Sequence, residues 1–187
     1  LGIGNTESIA LARELVAVAP PGLDHVFYSD DGSTAVEAAL KMAFQYHLQR
    51  SDRPSRRPLY LAFEGAYHGD TVGAVSVGGI GRFHATYEPL LFRCLRLPAP
   101  AFGAVPQGTA PHDWFDHCRR ELESTLRSHH REIAAVVVEP LVQMAGGILV
   151  HEEGFLSRLR QLTRELDIPL IADEVAVGFG RTGKMFA

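Results

Sequence analysis

Lysine is nearly missing from this chain of 187 residues: of its 18 Lys and Arg residues, only Lys41 and Lys184 are lysines. Cysteine is as scarce, with Cys94 and Cys118 alone. That number excludes a disulfide framework and suits the reduced thiols of a cytoplasmic protein. No apolar run approaches the roughly eighteen residues of a membrane span, and no charged-then-apolar leader marks secretion, so a cytoplasmic location is expected. An excess of positive charge is also lacking. Net charge is −4 and the pI about 6.1, so neither nucleic acid nor an anionic membrane surface is expected as a partner.

What is present is ordinary in amount, 46% apolar and 21% charged residues, close to the average of globular domains. The length suits about one domain. The sequence nevertheless starts at Leu1 rather than Met and stops just past a glycine-rich motif. Residues 1–187 are therefore expected to be a piece of a longer protein.

Apolar residues at a period of 3.6 predict four helices, at about 7–19, from near Thr34, at about 113–130 and at about 154–167. Thr34 and Glu37 have the spacing of a capping box. Short β-rich runs lie between, at 25–29, 58–63, 72–77, 134–138 and 169–172. Several are continuously apolar, as parallel strands covered on both faces should be. Alternating strands and helices predict an α/β fold, a mainly parallel sheet with helices on both faces. Residues 49–57 read as a solvated loop and 98–111 as a proline-rich connection.

Gly178, Gly180 and Gly183 fit G-x-G-x-x-G, and residues 178–184 fit most of a P-loop. Both patterns place phosphate on amides at a helix N-terminus. Asp173 and Glu174 interrupt the strand that the first needs, and Met185 stands where the second needs Ser or Thr. A nucleotide-binding module is thus the weaker reading. An earlier turn is better placed: residues 26–29 lead through Asp30, Asp31 and Gly32 to Ser33, Thr34 and the second helix. Gly32 permits close backbone approach, and Ser33 and Thr34 bring hydroxyls to free amides. A plain N-capped turn explains the same residues.

Residues 65–70, Gly-Ala-Tyr-His-Gly-Asp, put an aromatic ring, an imidazole and a carboxylate in one loop after a strand. Glu139 and Asp173 each follow a buried strand, where open α/β sheets bind ligands and where a carboxylate needs a partner. A flat phosphorylated pyridine would use these parts, its ring nitrogen on a carboxylate. On that reading Asp173 meets the ring nitrogen, Gly32 and Ser33 the phosphate, and Tyr67 the ring face. No lysine suits a Schiff base: Lys41 is expected on a solvent face and Lys184 in a glycine-rich turn. His129, His130 and His151 lack metal-ligand spacing and read as surface residues; Cys118 reads as core.

Residues 29–46 (SDDGSTAVEAALKMAFQY), 65–71 (GAYHGDT), 136–140 (VVVEP) and 170–187 (LIADEVAVGFGRTGKMFA) resemble the class III, fold-type I aminotransferases, in order and over nearly the whole chain. Gln45-Tyr46, Gln143 and Ala176 look most like the branch serving biotin synthesis. Ornithine and γ-aminobutyrate aminotransferases usually carry Gln at the Ala176 position and a Glu near Met144. Val177 and Met144 depart from the branch's usual Thr and small residue.

The resemblance implies the central part of the large domain of an enzyme that uses pyridoxal 5′-phosphate. The N-terminal segment, the Schiff-base lysine and the small domain would lie outside residues 1–187, so the catalytic lysine would not be in this chain. Gly32 and Ser33 would bind the phosphate, Tyr67 would stack on the ring and touch substrate, and Asp173 would pair with the ring nitrogen. Asp70 and Glu139 would orient these groups, and Arg181 would help bind substrate. No metal is implied. The implied reaction converts 8-amino-7-oxononanoate to 7,8-diaminononanoate with S-adenosylmethionine as donor, in a homodimer; another class III ω-aminotransferase is the alternative.

Overall fold

The computed structural model describes residues 3–50, 52 and 55–187. In chain order its helices are α1 (Thr6–Val18), α2 (Gly32–Gln49), α3 (Val72–Val77), the single turn α4 (Gly81–His84), α5 (Pro111–His129) and α6 (Phe155–Glu165). The strands are β1 (Leu59–Phe63), β2 (Cys94–Leu97), β3 (Ile133–Val138), β4 (Val142–Gln143), β5 (Leu149–Val150) and β6 (Leu170–Ala172). Four of them form one sheet in the order β2-β1-β3-β6, every pair parallel. β4 and β5 form a small antiparallel hairpin.

Each face of this sheet carries its own core, as the continuous apolar strands require. Leu59, Leu61 and Phe63 of β1 join Val136 and Val138 of β3 on one face. They pack under Leu122 and Leu126 of α5 and Phe155, Leu159 and Leu162 of α6. Tyr60, Ala62, Ala135 and Val137 point the other way, onto Val36, Leu40 and Ala43 of α2 and Ala74 and Val77 of α3. Phe63 and Phe155 meet edge to face at 5.3 Å, a geometry that adds to plain burial. The expected mixed α/β architecture, a parallel sheet between helices, is the one observed.

Several local expectations need correction. Residues 72–77 form helix α3, not a strand. All of Gly73–Val77 is buried, and a short run buried on every side shows no period to tell the two apart. Residues 25–29 run without ladder partners among the described residues, with Phe27 66% exposed. Strand-forming side chains do not make a strand without a neighbour to pair with. α1 forms as its period predicts, yet it buries none of its residues.

β2 and the β4–β5 hairpin have no counterpart in the sequence reading. The cap of α2 also differs: Asp31, not Thr34, is the N-cap, and it exchanges hydrogen bonds with Thr34. The glycine-rich stretch after β6 is a series of turns and bends, so among the described residues none of Gly178, Gly180 and Gly183 opens a helix, as a phosphate loop would. His151, expected on the surface, is buried and stacks on Phe155 with ring centroids 5.0 Å apart. The loop expected at 49–57 lies partly outside the described residues.

Candidate functional site

At the carboxyl end of the sheet, the segments following β1, β3 and β6 meet the N-terminus of α2. Together they enclose a cavity of about 250 Å³ lined by Gly32, Ser33, Tyr67, His68, Gly69, Glu139, Met144, Ala145, Asp173, Val175 and Ala176. The parallel arrangement produces this convergence, because all four strands end on the same side.

Asp173 follows β6, and its own amide still continues the ladder by donating to Val138 O at 2.8 Å. Its side chain is only 7% exposed. One carboxylate oxygen, Oδ2, lies 2.8 Å from His68 Nδ1, and Oδ1 accepts the Val175 amide at 3.2 Å. The His68 side chain is fully buried. It lines the same cavity beside the acid and holds Oδ2 by this contact.

Glu139 ends β3 in the same way and serves differently. Its two oxygens accept the backbone amides of Tyr67 at 2.9 Å and Met144 at 3.0 Å. Burial raises its pKa, while these two hydrogen bonds oppose the shift. The carboxylate thus braces the loop carrying Tyr67 against the tip of the β4–β5 hairpin.

Ser33 occupies the first turn of α2, where helix amides lack intrahelical acceptors. Its Oγ accepts the Asp70 amide at 3.2 Å, which leaves the hydroxyl proton free to be donated. Two glycines permit this packing. A β-carbon on Gly69, whose φ is 116°, would collide with Ser33. One on Gly32 would crowd the Val175 side chain at 3.1 Å.

Tyr67 donates its hydroxyl to Asp70 Oδ2 at 2.9 Å, and this bond raises the phenol's pKa above its ordinary value. Tyr67 and Ala145 line a second, larger cavity of about 880 Å³ as well. Its other walls include Val72, Phe83, Tyr87 and Leu90, with Arg82 the one cation. The larger cavity, which Asp70 also lines, therefore adjoins the smaller one across the tyrosine ring.

Gly32, Ser33, Tyr67, Asp173 and Glu139 thus come together, and Asp70 reaches the site through Tyr67 and Ser33. Arg181 does not join them: it is exposed in the turns after β6 and does not line the cavity. Neither Lys41 nor Lys184 lines it. Sequence reading assigned no role to His68, although the aromatic-His-Gly-Asp run held it in view. The missing signal was its long-range partner, 105 residues away.

These parts fit a flat, phosphorylated, nitrogen-containing ring. A buried carboxylate suits a protonated ring nitrogen, free helix amides with a serine hydroxyl suit a phosphate, and an aromatic residue covers a planar face. Among the described residues no cluster of side chains could hold a metal ion, and no helix is long and apolar enough to cross a membrane.

Known proteins show the same arrangement of chain. The family model described as aminotransferase class-III matches residues 2–187. The adenosylmethionine-8-amino-7-oxononanoate aminotransferase of Nitratidesulfovibrio vulgaris (strain Hildenborough) is 54% identical over 187 residues, 100% of this chain and 34% of that protein. The protein of the same name in Geobacter sulfurreducens is 52% identical over 188 residues, 100% of this chain and 41% of that one. The crystal structure of the Methanocaldococcus jannaschii protein of that name superposes with a TM-score of 0.87 at 39% identity, covering 100% of this chain and 39% of that one. A PMP-bound aminotransferase from Vibrio fluvialis gives 0.88 at 30% identity, covering 100% and 41%. The chain spans 34–41% of the length of these relatives.

Proposed function

The chain belongs to the class-III aminotransferases, a family dependent on pyridoxal 5′-phosphate, and from that premise we propose that it holds this cofactor in an enzyme converting 8-amino-7-oxononanoate to 7,8-diaminononanoate. S-adenosylmethionine is the proposed amino donor, and biotin synthesis the proposed setting. The observation that carries the cofactor site is the meeting of the Asp173 carboxylate, the N-terminus of α2 and Tyr67 in one cavity. The choice of branch is supported by 54% and 52% identity to relatives of that name.

Pyridoxal phosphate, when bound, supplies an electron sink that delocalises charge from the reacting carbon. The chain's own residues provide the rest. The α2 amides at Gly32 and Ser33, with the Ser33 hydroxyl, hold the phosphate. Asp173 keeps a proton at the ring nitrogen, and His68 holds Asp173 in place. Tyr67 covers the ring and presents its hydroxyl toward substrate, oriented by Asp70. Glu139 fixes the Tyr67 loop by its amide. Because Lys41 and Lys184 stay away from the cavity, the lysine that moves protons between carbons is proposed to lie outside these 187 residues. Residues 1–187 are accordingly proposed as part of the cofactor-binding large domain of a homodimeric enzyme. A cytoplasmic location is proposed, supported by the free thiols of Cys94 and Cys118.

Donor competition tests this reading. The complete gene product is expected to form 7,8-diaminononanoate with S-adenosylmethionine and to turn over poorly with alanine or glutamate. Efficient use of alanine with no S-adenosylmethionine turnover would assign another ω-aminotransferase. Absence of bound pyridoxal phosphate would overturn the proposal.

A further inference from the structure

Two side chains one turn apart on α2 reach the same short stretch of backbone. Ser33 Oγ accepts the Asp70 amide at 3.2 Å, and Glu37 Oε1 accepts the Gly73 amide at 2.7 Å. Spacing of four residues puts Ser33 and Glu37 on one helix face. There they meet donors three residues apart, where the chain turns into α3.

Both contacts require a glycine opposite. A β-carbon on Gly69 would strike Ser33, and one on Gly73 would strike the Glu37 carboxylate. α3 needs the outside acceptor, because its N-cap Thr71 makes no side-chain capping bond and its first amides lack partners within the helix. Glu37 is available for this reach because Asp31 and Thr34 complete the cap of α2 between themselves.

We propose that Glu37 is a positioning residue for the phosphate subsite. By gripping Gly73 it keeps the Asp70 amide against Ser33 Oγ, and so keeps the serine proton turned toward the ligand. The inference rests on the pyridoxal phosphate reading above. A hydroxyl whose lone pair is engaged by an amide has few directions left for its single proton. Without Glu37, the Ser33–Asp70 contact is the side-chain hydrogen bond left between α2 and residues 69–73 among the described residues, and Ser33 must serve as polar tether and ligand donor together. The ring end is held separately, by the His68–Asp173 bond. Loss of Glu37 should therefore fall on the phosphate and spare the ring.

The test compares pyridoxal phosphate with pyridoxal, which lacks the phosphate. Both are titrated into the complete gene product, well below each variant's unfolding midpoint. Glu37→Gln keeps the reach and an acceptor oxygen, and is expected to bind pyridoxal phosphate within about twofold of the wild type. Glu37→Asp keeps the charge and loses the reach; its affinity for pyridoxal phosphate is expected to fall about tenfold, as for one lost hydrogen bond. Its affinity for pyridoxal should change by less than about twofold.

Glu37→Asp binding like the wild type would overturn the inference. So would Glu37→Gln being as weak as Glu37→Asp, which would make charge the cause. Equal losses for both ligands would also overturn it, since they would mark general loosening. A wild type that binds neither ligand would defeat the proposed function itself. A wild type that binds beside an unresponsive Glu37 series defeats only this inference.

Discussion

Glu139 and Asp173 occupy equivalent places in the chain, each just past a parallel strand, and both line one cavity. β3 is buried throughout, whereas β6, expected to be buried, lies at the sheet edge and is partly exposed. The hydrogen bonds of the two acids divide their work. Both oxygens of Glu139 are taken by the amides of Tyr67 and Met144, so that acid serves the protein's own backbone. Asp173 also has one partner on each oxygen, but one of the two is the buried His68 imidazole rather than a backbone amide, and this is the acid proposed to meet the ring nitrogen. Two carboxylates at matching places thus differ in their partners, two backbone amides for the brace at Glu139 and an imidazole with one amide for the proposed binding group at Asp173.

The sharpest test of this contrast is activity against stability. Asp173→Asn in the complete gene product should lower turnover by about a hundredfold or more, the scale of removing a group that controls a proton in the reaction. Its unfolding midpoint should move little, and near-normal turnover would erase the distinction. Glu139→Ala should do the reverse. It leaves two partly buried amides without their acceptor and should cost about 1–3 kcal/mol in chemical denaturation.

Moderate effects are expected from the imidazole beside Asp173. His68→Phe fills the space but removes the bond to Oδ2, so turnover should fall about tenfold. A pH titration of stability isolates Glu139. Its pKa is raised in the fold, so the folded chain holds more protons than the unfolded chain between the ordinary and the raised value. Stability should therefore decline as pH rises through that window, and Glu139→Gln should flatten the decline. The smallest effect is expected for Arg181→Ala, exposed and outside the cavity. Its KM should stay within about twofold, as for most surface changes; a larger rise would return Arg181 to the substrate site.

Much of this site was legible from the chain alone. Gly32-Ser33 before an amphipathic helix, Tyr67 in a glycine-framed loop, and acids after apolar strands each carry a local signature. His68 and Glu37 do not, because their roles depend on partners 105 and 36 residues away. His151 misled for a related reason. A histidine without metal-ligand spacing reads as surface, yet its ring packs onto Phe155, and burial there pushes its pKa down to about 4. Residues 72–77 and 25–29 misled because β-branched and aromatic content is weak local information. One run became a helix buried on every side, and the other found no strand to pair with.

The scarcity of lysine gains a physical meaning from the same comparison. Sequence by itself determined the alternation of strands and helices, the glycines that allow close approach, and the kinds of chemical group available, including the lack of a suitable lysine. These follow from periodicity, backbone freedom and composition, which are local properties. Tertiary structure alone decided which donors each acid meets, and where Lys41, Lys184 and Arg181 lie relative to the cavity. That assignment depends on which donors lie within about 3 Å of each oxygen, and only the packing of distant segments fixes such distances.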